Sequence, residues 1–187
     1  MNIIILAGGE GKRMGGVDKA AVAVDGRTLL DILLSQLDPE DDVVVVSPAN
    51  INGITTVSEE PPLGGPVAGI DAGLNSFEHA HEFTAILAVD APYSAAMLPL
   101  LQTQIGKADA AVTLAADGWV QPLCALWRSG SLKAAIHSLG ETRNRPAKAL
   151  LKQAGHIVEV GGDGTEKDYD TVAELEVLGN VTLPKAH

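Results

Sequence analysis

Immediately after an apolar run at residues 3–6, the chain sets Gly8, Gly9, Gly11, Gly15 and Gly16 among Lys12, Arg13 and Lys19. Glycines let backbone N–H groups come close to an anion and accept positive φ at little steric cost. The interleaved cations neutralise charge that backbone dipoles alone cannot. A strand that opens into such a loop is expected to bind the phosphates of a nucleotide. Two familiar phosphate loops fail on spacing. The dinucleotide fingerprint needs a third glycine where Met14 stands, and the Walker A loop needs Ser or Thr where Arg13 follows Gly11-Lys12. A second group able to do chemistry is Asp90, which ends the apolar run 84–89 and precedes Ala91-Pro92-Tyr93. Its carboxylate suits a hard cation such as magnesium, which takes a few carboxylate oxygens together with waters and phosphate oxygens. It also suits capping of the turn that follows.

These groups need strands to carry them. Residues 3–6, 43–46 and 84–89 are short apolar runs, the mark of strands buried on both faces. Helices are expected at 28–37, where Leu29, Leu30, Leu33, Leu34 and Leu37 form a stripe, at 67–76, and at 94–105 with Ser94 as its cap. Residues 61–66 read as a rigid loop of proline and glycine. Residues 110–114 and 122–127 bracket Asp117-Gly118, a favourable turn dipeptide, and are expected to pair antiparallel. Further helices are expected at 131–139, 146–154 (Pro146 in the first turn) and 171–178, with a short strand at 156–160. The alternation predicts an α/β fold in three layers, a mostly parallel twisted sheet with a small antiparallel insertion. Ligands of such sheets bind at the carboxyl ends of the strands, which gathers the glycine loop, Ser47 and Asp90 at one edge.

The chain of 187 residues is expected to form one domain, and its 46% AVILMFWYC content with 3% aromatics requires a core of Ala, Val, Leu and Ile. No apolar run reaches the length of a membrane span, and the start lacks the features of a signal peptide. The single cysteine, Cys124, excludes an internal disulfide, reads as a packed thiol, and fits a reducing cytoplasm. A net charge of −11 argues against nucleic acid as a partner. Lys and Arg are missing between Thr28 and Gly106, so a polyanionic substrate must meet a local basic site or a metal ion. Asp18 is expected to order the loop beside Lys19. His79 and His81 lack the spaced partners of a zinc site.

Residues 6–15, Leu-Ala-Gly-Gly-Glu-Gly-Lys-Arg-Met-Gly, resemble the amino-terminal signature of the nucleotidyltransferases. Met14-Gly15-Gly16-Val17-Asp18-Lys19 resembles most closely that of the molybdenum cofactor guanylyltransferases, and a thinner likeness runs over nearly the whole chain. The resemblance implies a Rossmann-like nucleotidyltransferase fold in one domain over residues 1–187, with nucleotide binding in residues 1–105 and acceptor binding in residues 106–187. It implies GTP and molybdopterin as substrates and Mg2+ as cofactor, with GMP passing to the molybdopterin phosphate and pyrophosphate leaving. Transient contacts with other cofactor-biosynthesis proteins or apo-molybdoenzymes would go with that role.

The same resemblance gives nucleotide binding to Leu6, Ala7, Gly8, Gly9, Gly11, Lys19, Ser47, Glu60, Gly65 and Asp90, and catalysis to Arg13, Lys19 and Asp90. Asp90 would hold the metal, with Asp168 or Asp170 as a further ligand, although Asp170 equally suits capping of the last helix. Arg143, Arg145 and Lys148 match by position a basic stretch on the pterin side and would hold the acceptor phosphate, yet they also fit a solvated connector. The family commonly has Asn at Ser47, Asp at Glu60, and Asn-x-Asn-Thr in place of Asp168-Tyr169-Asp170-Thr171. These departures leave open a cytidylyltransferase on the same cofactor, a transferase for sugar or alditol phosphates, or a nucleotide-binding relative without catalysis.

Overall fold

Consecutive isoleucines and valines cannot present one face to water, so the strands they form must be covered on both sides. The computed structural model describes residues 1–8, 17–51 and 53–184. They form β1 (Asn2–Leu6), a 3-10 turn (Lys19–Ala21), β2 (Ala23–Val24), β3 (Arg27–Thr28), α1 (Leu29–Leu34), β4 (Asp42–Val46), β5 (Thr56–Val57), α2 (Pro66–Asn75) and β6 (Phe83–Ala88). A 3-10 helix (Ser94–Met97) then leads into α3 (Leu98–Gln104), followed by β7 (Ala110–Leu114), β8 (Val120–Arg128), α4 (Ser129–Leu139), α5 (Lys148–Leu151), β9 (Ile157–Gly161), α6 (Val172–Leu175) and β10 (Val181–Thr182).

Seven strands form one sheet in the order β5-β4-β1-β6-β8-β7-β9. Every pairing is parallel except those of β8, which runs antiparallel to both β6 and β7. The expected antiparallel element is therefore a strand inside the main sheet. A second sheet, β10-β2-β3, is wholly antiparallel, and its hairpin turns at Asp25-Gly26, both at positive φ.

Alternation along the strands divides the core in two. Ile3, Ile5, Val45, Ala85, Leu87, Cys124 and Leu126 pack with α1, α3 and the small sheet, whereas Ile4, Val44, Val46, Ile86, Ala125 and Trp127 pack under α2, α4 and α5. Trp127, 1% exposed, fills much of the second layer. Cys124 is buried in the first and accepts a hydrogen bond from the Thr113 hydroxyl. Burial pushes its thiol up to about 11, so it stays protonated.

Helix α2 lies unusually close to the sheet. A Cβ on Gly73 would stand 2.9 Å from Ile4 Cγ2 and 3.2 Å from Val46 Cγ2. Gly73→Val is expected to lower stability by about 1–3 kcal/mol through overpacking, measured by urea unfolding. Wild-type stability in that variant would show that the helix can lift without cost.

Several elements are shorter than their sequence pattern. Thr28 caps α1 through the Asp31 N–H, but the helix ends at Leu34, where Ser35 Oγ and the Gln36 side chain both turn back to the Ile32 carbonyl. The pattern at 146–154 yields only α5. Ser94 does not cap the helix after β6: its hydroxyl is buried without a hydrogen-bond partner among the described residues, and Tyr93 occupies the cap position. No helix among the described residues is long and apolar enough to cross a membrane.

Candidate active site

The carboxyl ends of β4, β1 and β6 stop at nearly the same level. Ala7 N–H donates to the Val46 carbonyl at 2.9 Å, and Val89 N–H donates to the Leu6 carbonyl at 3.0 Å. The three chains part just beyond those bonds and leave a cleft of about 580 Å³, a size suited to a nucleotide. Leu6, Ala7 and Gly8 form its floor, Ser47 and Pro48 one wall, and Gly65 and Gly69 of the α2 entrance another. Gly65 is the N-cap of α2 at φ 87°, a conformation that calls for glycine, and Pro66 begins the helix.

The charged centre of the cleft joins three distant parts of the sequence. Lys19 Nζ donates to Asp170 Oδ1 at 2.8 Å and to Asp90 Oδ2 at 3.0 Å. Lys19 is held there because Asp18 caps the 3-10 turn, its Oδ1 accepting from the Ala20 N–H at 2.9 Å. Asp90 follows β6 in a turn closed by the Ala91 N–H to the Ala88 carbonyl, and the Gln36 side chain donates to the Pro92 carbonyl at 2.6 Å. Asp170 is brought in by its neighbour, since Tyr169 N–H donates to the Asp90 carbonyl at 2.9 Å.

Burial opposes the charge on Lys19, but the hydrogen bonds and charges of Asp170 and Asp90 outweigh it, and the ammonium is held above its ordinary range. Asp170 does not cap α6. Thr171 does so in a capping box with Glu174, and the Asp170 N–H donates to Glu174 Oε2.

Asp168 faces the same group of charges. Partial desolvation raises its carboxyl above the ordinary range; a backbone N–H and Lys19 oppose the rise, while Asp90 and Asp170 add to it. A carboxyl that binds its proton more tightly when folded loses stability as pH rises through its folded value. The penalty is absent below the ordinary value of 3.8 and grows as pH rises above it toward the raised folded value. Asp168→Asn is therefore expected to raise the melting temperature at pH 7 and to match wild type below 3.8. A lower melting temperature at pH 7 would contradict this.

The chemistry of the oxygens suits a divalent cation. Two carboxylates already converge on a single positive atom, and magnesium commonly takes one or two carboxylates together with water and phosphate oxygens. Among the described residues no group of three or more ligands encloses an ion, so the other positions would come from water and substrate.

Of the residues expected from sequence, Leu6, Ala7, Gly8, Lys19, Ser47, Gly65 and Asp90 line the cleft together, and Asp170 joins them. Gly9, Gly11 and Arg13 lie outside the described residues. Glu60 is exposed and does not line the cleft; Glu59 does, and its Oε1 accepts from the Gly64 N–H at 2.7 Å. The loop 58–65 has no periodicity from which that choice could be read. Arg143 is engaged elsewhere: its guanidinium donates to the Pro61 carbonyl and lies against Gly64, so it braces the cleft's loop. Arg145 and Lys148 are exposed. Leu123 of β8 also lines the cleft, and its apolar run gave no sign of it. His81 pairs with Asp42 at the amino end of β4, the opposite end of the sheet from these groups.

The MobA-like NTP transferase domain matches residues 3–158. A molybdenum cofactor guanylyltransferase of Cereibacter sphaeroides is 36% identical over 131 residues, which are 66% of this chain and 67% of the relative. A probable molybdenum cofactor guanylyltransferase of Natronomonas pharaonis is 31% identical and covers 92% of this chain and 94% of its own. The crystal structure of molybdopterin-guanine dinucleotide biosynthesis protein A from Archaeoglobus fulgidus superposes with a TM-score of 0.69 at 18% identity, covering 95% of this chain and 96% of the other.

Proposed function

Because this chain belongs to the MobA-like NTP transferase family and is a nucleotidyltransferase, we propose that it transfers GMP from GTP to the terminal phosphate of molybdopterin, with Mg2+ as cofactor and pyrophosphate as the second product. The observation that carries this reading is the convergence of Lys19, Asp90 and Asp170 at the end of β6, inside a nucleotide-sized cleft.

In the proposed reaction an oxygen of the acceptor phosphate forms a bond to the α-phosphorus of GTP. The bond from that phosphorus to the bridging oxygen breaks, and its electron pair leaves with pyrophosphate. A phosphate oxygen is anionic at neutral pH and needs no base to activate it. That agrees with a cleft whose described lining holds no histidine. The work left to the protein is alignment and charge stabilisation.

The Gly8 N–H, just beyond the bond from Ala7 to the Val46 carbonyl, would hold the nucleotide at the floor. Lys19 would turn its ammonium from the carboxylates to the phosphates as negative charge moves onto the leaving group. Asp90 and Asp170 would hold magnesium, which when bound neutralises phosphate charge. Glu59 takes over the role first given to Glu60: a carboxylate there accepts from guanine N1–H and N2–H together, a pair of donors that cytosine lacks. Strands β1 to β6 would thus carry the nucleotide, and the half from β7 onward would carry the acceptor.

Thermal melts with GTP, CTP, ATP, UTP and dTTP, each with magnesium, test the nucleotide half of this reading. At a hundred times its Kd a ligand stabilises by about 2.7 kcal/mol. GTP alone is expected to shift the midpoint; a shift with CTP alone would reject guanine.

A further inference from the structure

Asp90 divides the carboxyl edge of the sheet. On one side lie β1, β4 and β5, with Gly8, Ser47 and Glu59; on the other lie β8 and β7. Because β7 runs parallel to β9 and antiparallel to β8, which is itself antiparallel to β6, the β7–β8 turn projects from this same carboxyl edge. At that turn stands Trp119. It is 65% exposed, in a chain whose other tryptophan is 1% exposed.

Three observations join Trp119 to the cleft. Leu123, which lines the cleft, is four positions along the same chain, and four extended residues span at most about 13 Å. The Trp119 backbone is fixed by the Ala115 N–H to its carbonyl at 2.9 Å and by its own N–H to Asp117 Oδ1 at 3.0 Å. The connector from Arg143 to Lys148 links the two places physically. At one end Asn144 N–H donates to the Gly64 carbonyl at 2.6 Å, beside the α2 entrance; at the other Lys148 Nζ lies 5.6 Å from the Trp119 ring centroid. The ammonium over the ring limits the orientations the indole can take.

We propose that Trp119 is the stacking platform for the acceptor's fused heterocycle, with Lys148 and Arg145 as cations at its rim. The inference rests on the acceptor being a pterin phosphate, as in the reading above. An acceptor whose phosphate reaches Lys19 and Asp90 must extend its rings away from the nucleotide, toward β8 and β7. A flat heteroaromatic ring stacks on an indole whatever hydrogen bonds its edges make. Exposed Arg145 and Lys148 draw in a polyanion that an acidic protein otherwise repels. Trp119 touches substrate in this account and sets acceptor affinity, while the reacting phosphates stay with Lys19 and Asp90.

The test uses the full chain and molybdopterin. Buried Trp127 gives a constant background, so saturable quenching that is present in wild type and lost in Trp119→Phe reports the platform directly. In steady-state assays Trp119→Ala is expected to raise the acceptor KM about tenfold or more, with the GTP KM and kcat unchanged and Trp119→Phe recovering most of the loss. No quenching, an unchanged acceptor KM, or a rise in the GTP KM instead would overturn the proposal. The two levels separate cleanly. Quenching without guanylyl transfer keeps the platform and rejects the proposed reaction; transfer with unchanged acceptor KM keeps the reaction and rejects the platform.

Discussion

Lys19→Ala is expected to lower turnover with saturating GTP and molybdopterin at least a hundredfold, about the effect of removing one preorganised donor from a transition state. The ammonium sits 2.8 and 3.0 Å from two carboxylates, with its side chain only 15% exposed, so it needs little rearrangement to meet a phosphate brought between them. Its interaction strengthens as charge gathers on the departing pyrophosphate, so the loss falls on kcat more than on the KM for GTP.

Folding survives, because Lys19 lies at the strand ends and belongs to neither core layer. Some stability is lost with it, and the sign is set by linkage. A lysine whose folded value is raised contributes in full below its ordinary value of 10.5 and loses that contribution as pH rises through the folded value. The difference in melting temperature between wild type and variant is therefore constant at neutral pH and shrinks only in strong alkali. Pyrophosphate release and circular-dichroism melts check both parts; near-normal turnover would remove Lys19 from the chemistry.

Asp90→Asn is expected to cost at least a hundredfold as well, by a different route, since the amide keeps the shape but cannot neutralise a divalent ion. The local backbone holds without the carboxylate: the Asp90 carbonyl accepts from Tyr169 N–H, and the turn closes between Ala91 and Ala88. A folded variant with poor turnover is thus the expected result. Titration with Mn2+ in the presence of GTP, followed by electron paramagnetic resonance, should show weakened binding. Wild-type Mn2+ affinity together with full activity would assign the cation elsewhere.

The parallel half of the fold was legible because its strands are buried on both faces and are written as unbroken apolar runs. The grouping of Ser47 and Asp90 followed from the rule that ligands gather at strand ends. Lys19 stood out instead as a cation of the glycine-rich stretch and by the family resemblance. The small antiparallel sheet was not legible: β2, β3 and β10 have two residues each, too few for alternation to register, although Asp25-Gly26 is a turn signal of the same kind as Asp117-Gly118.

Tertiary contacts decided the rest. Whether Asp170 caps a helix or meets Lys19 depends on Thr171 taking the cap and Tyr169 binding the end of β6. Whether Glu59 or Glu60 enters the cleft depends on the Gly64 N–H. Arg143 read as a phosphate ligand from its charge, but the fold sets it against the Pro61 carbonyl. In each case the residue type left several uses open, and a contact chose among them, local for Glu59 with Gly64 and remote for Arg143 with Pro61.

The account is tested most directly by mixing the protein with GTP, magnesium chloride and molybdopterin, then following pyrophosphate release and the mass of the pterin product together. The predicted result is a pterin carrying GMP through a phosphoanhydride, formed with one pyrophosphate per product, dependent on all three additions, and absent when CTP replaces GTP. Transfer of CMP in place of GMP, or pyrophosphate release with no change in the pterin, would contradict it.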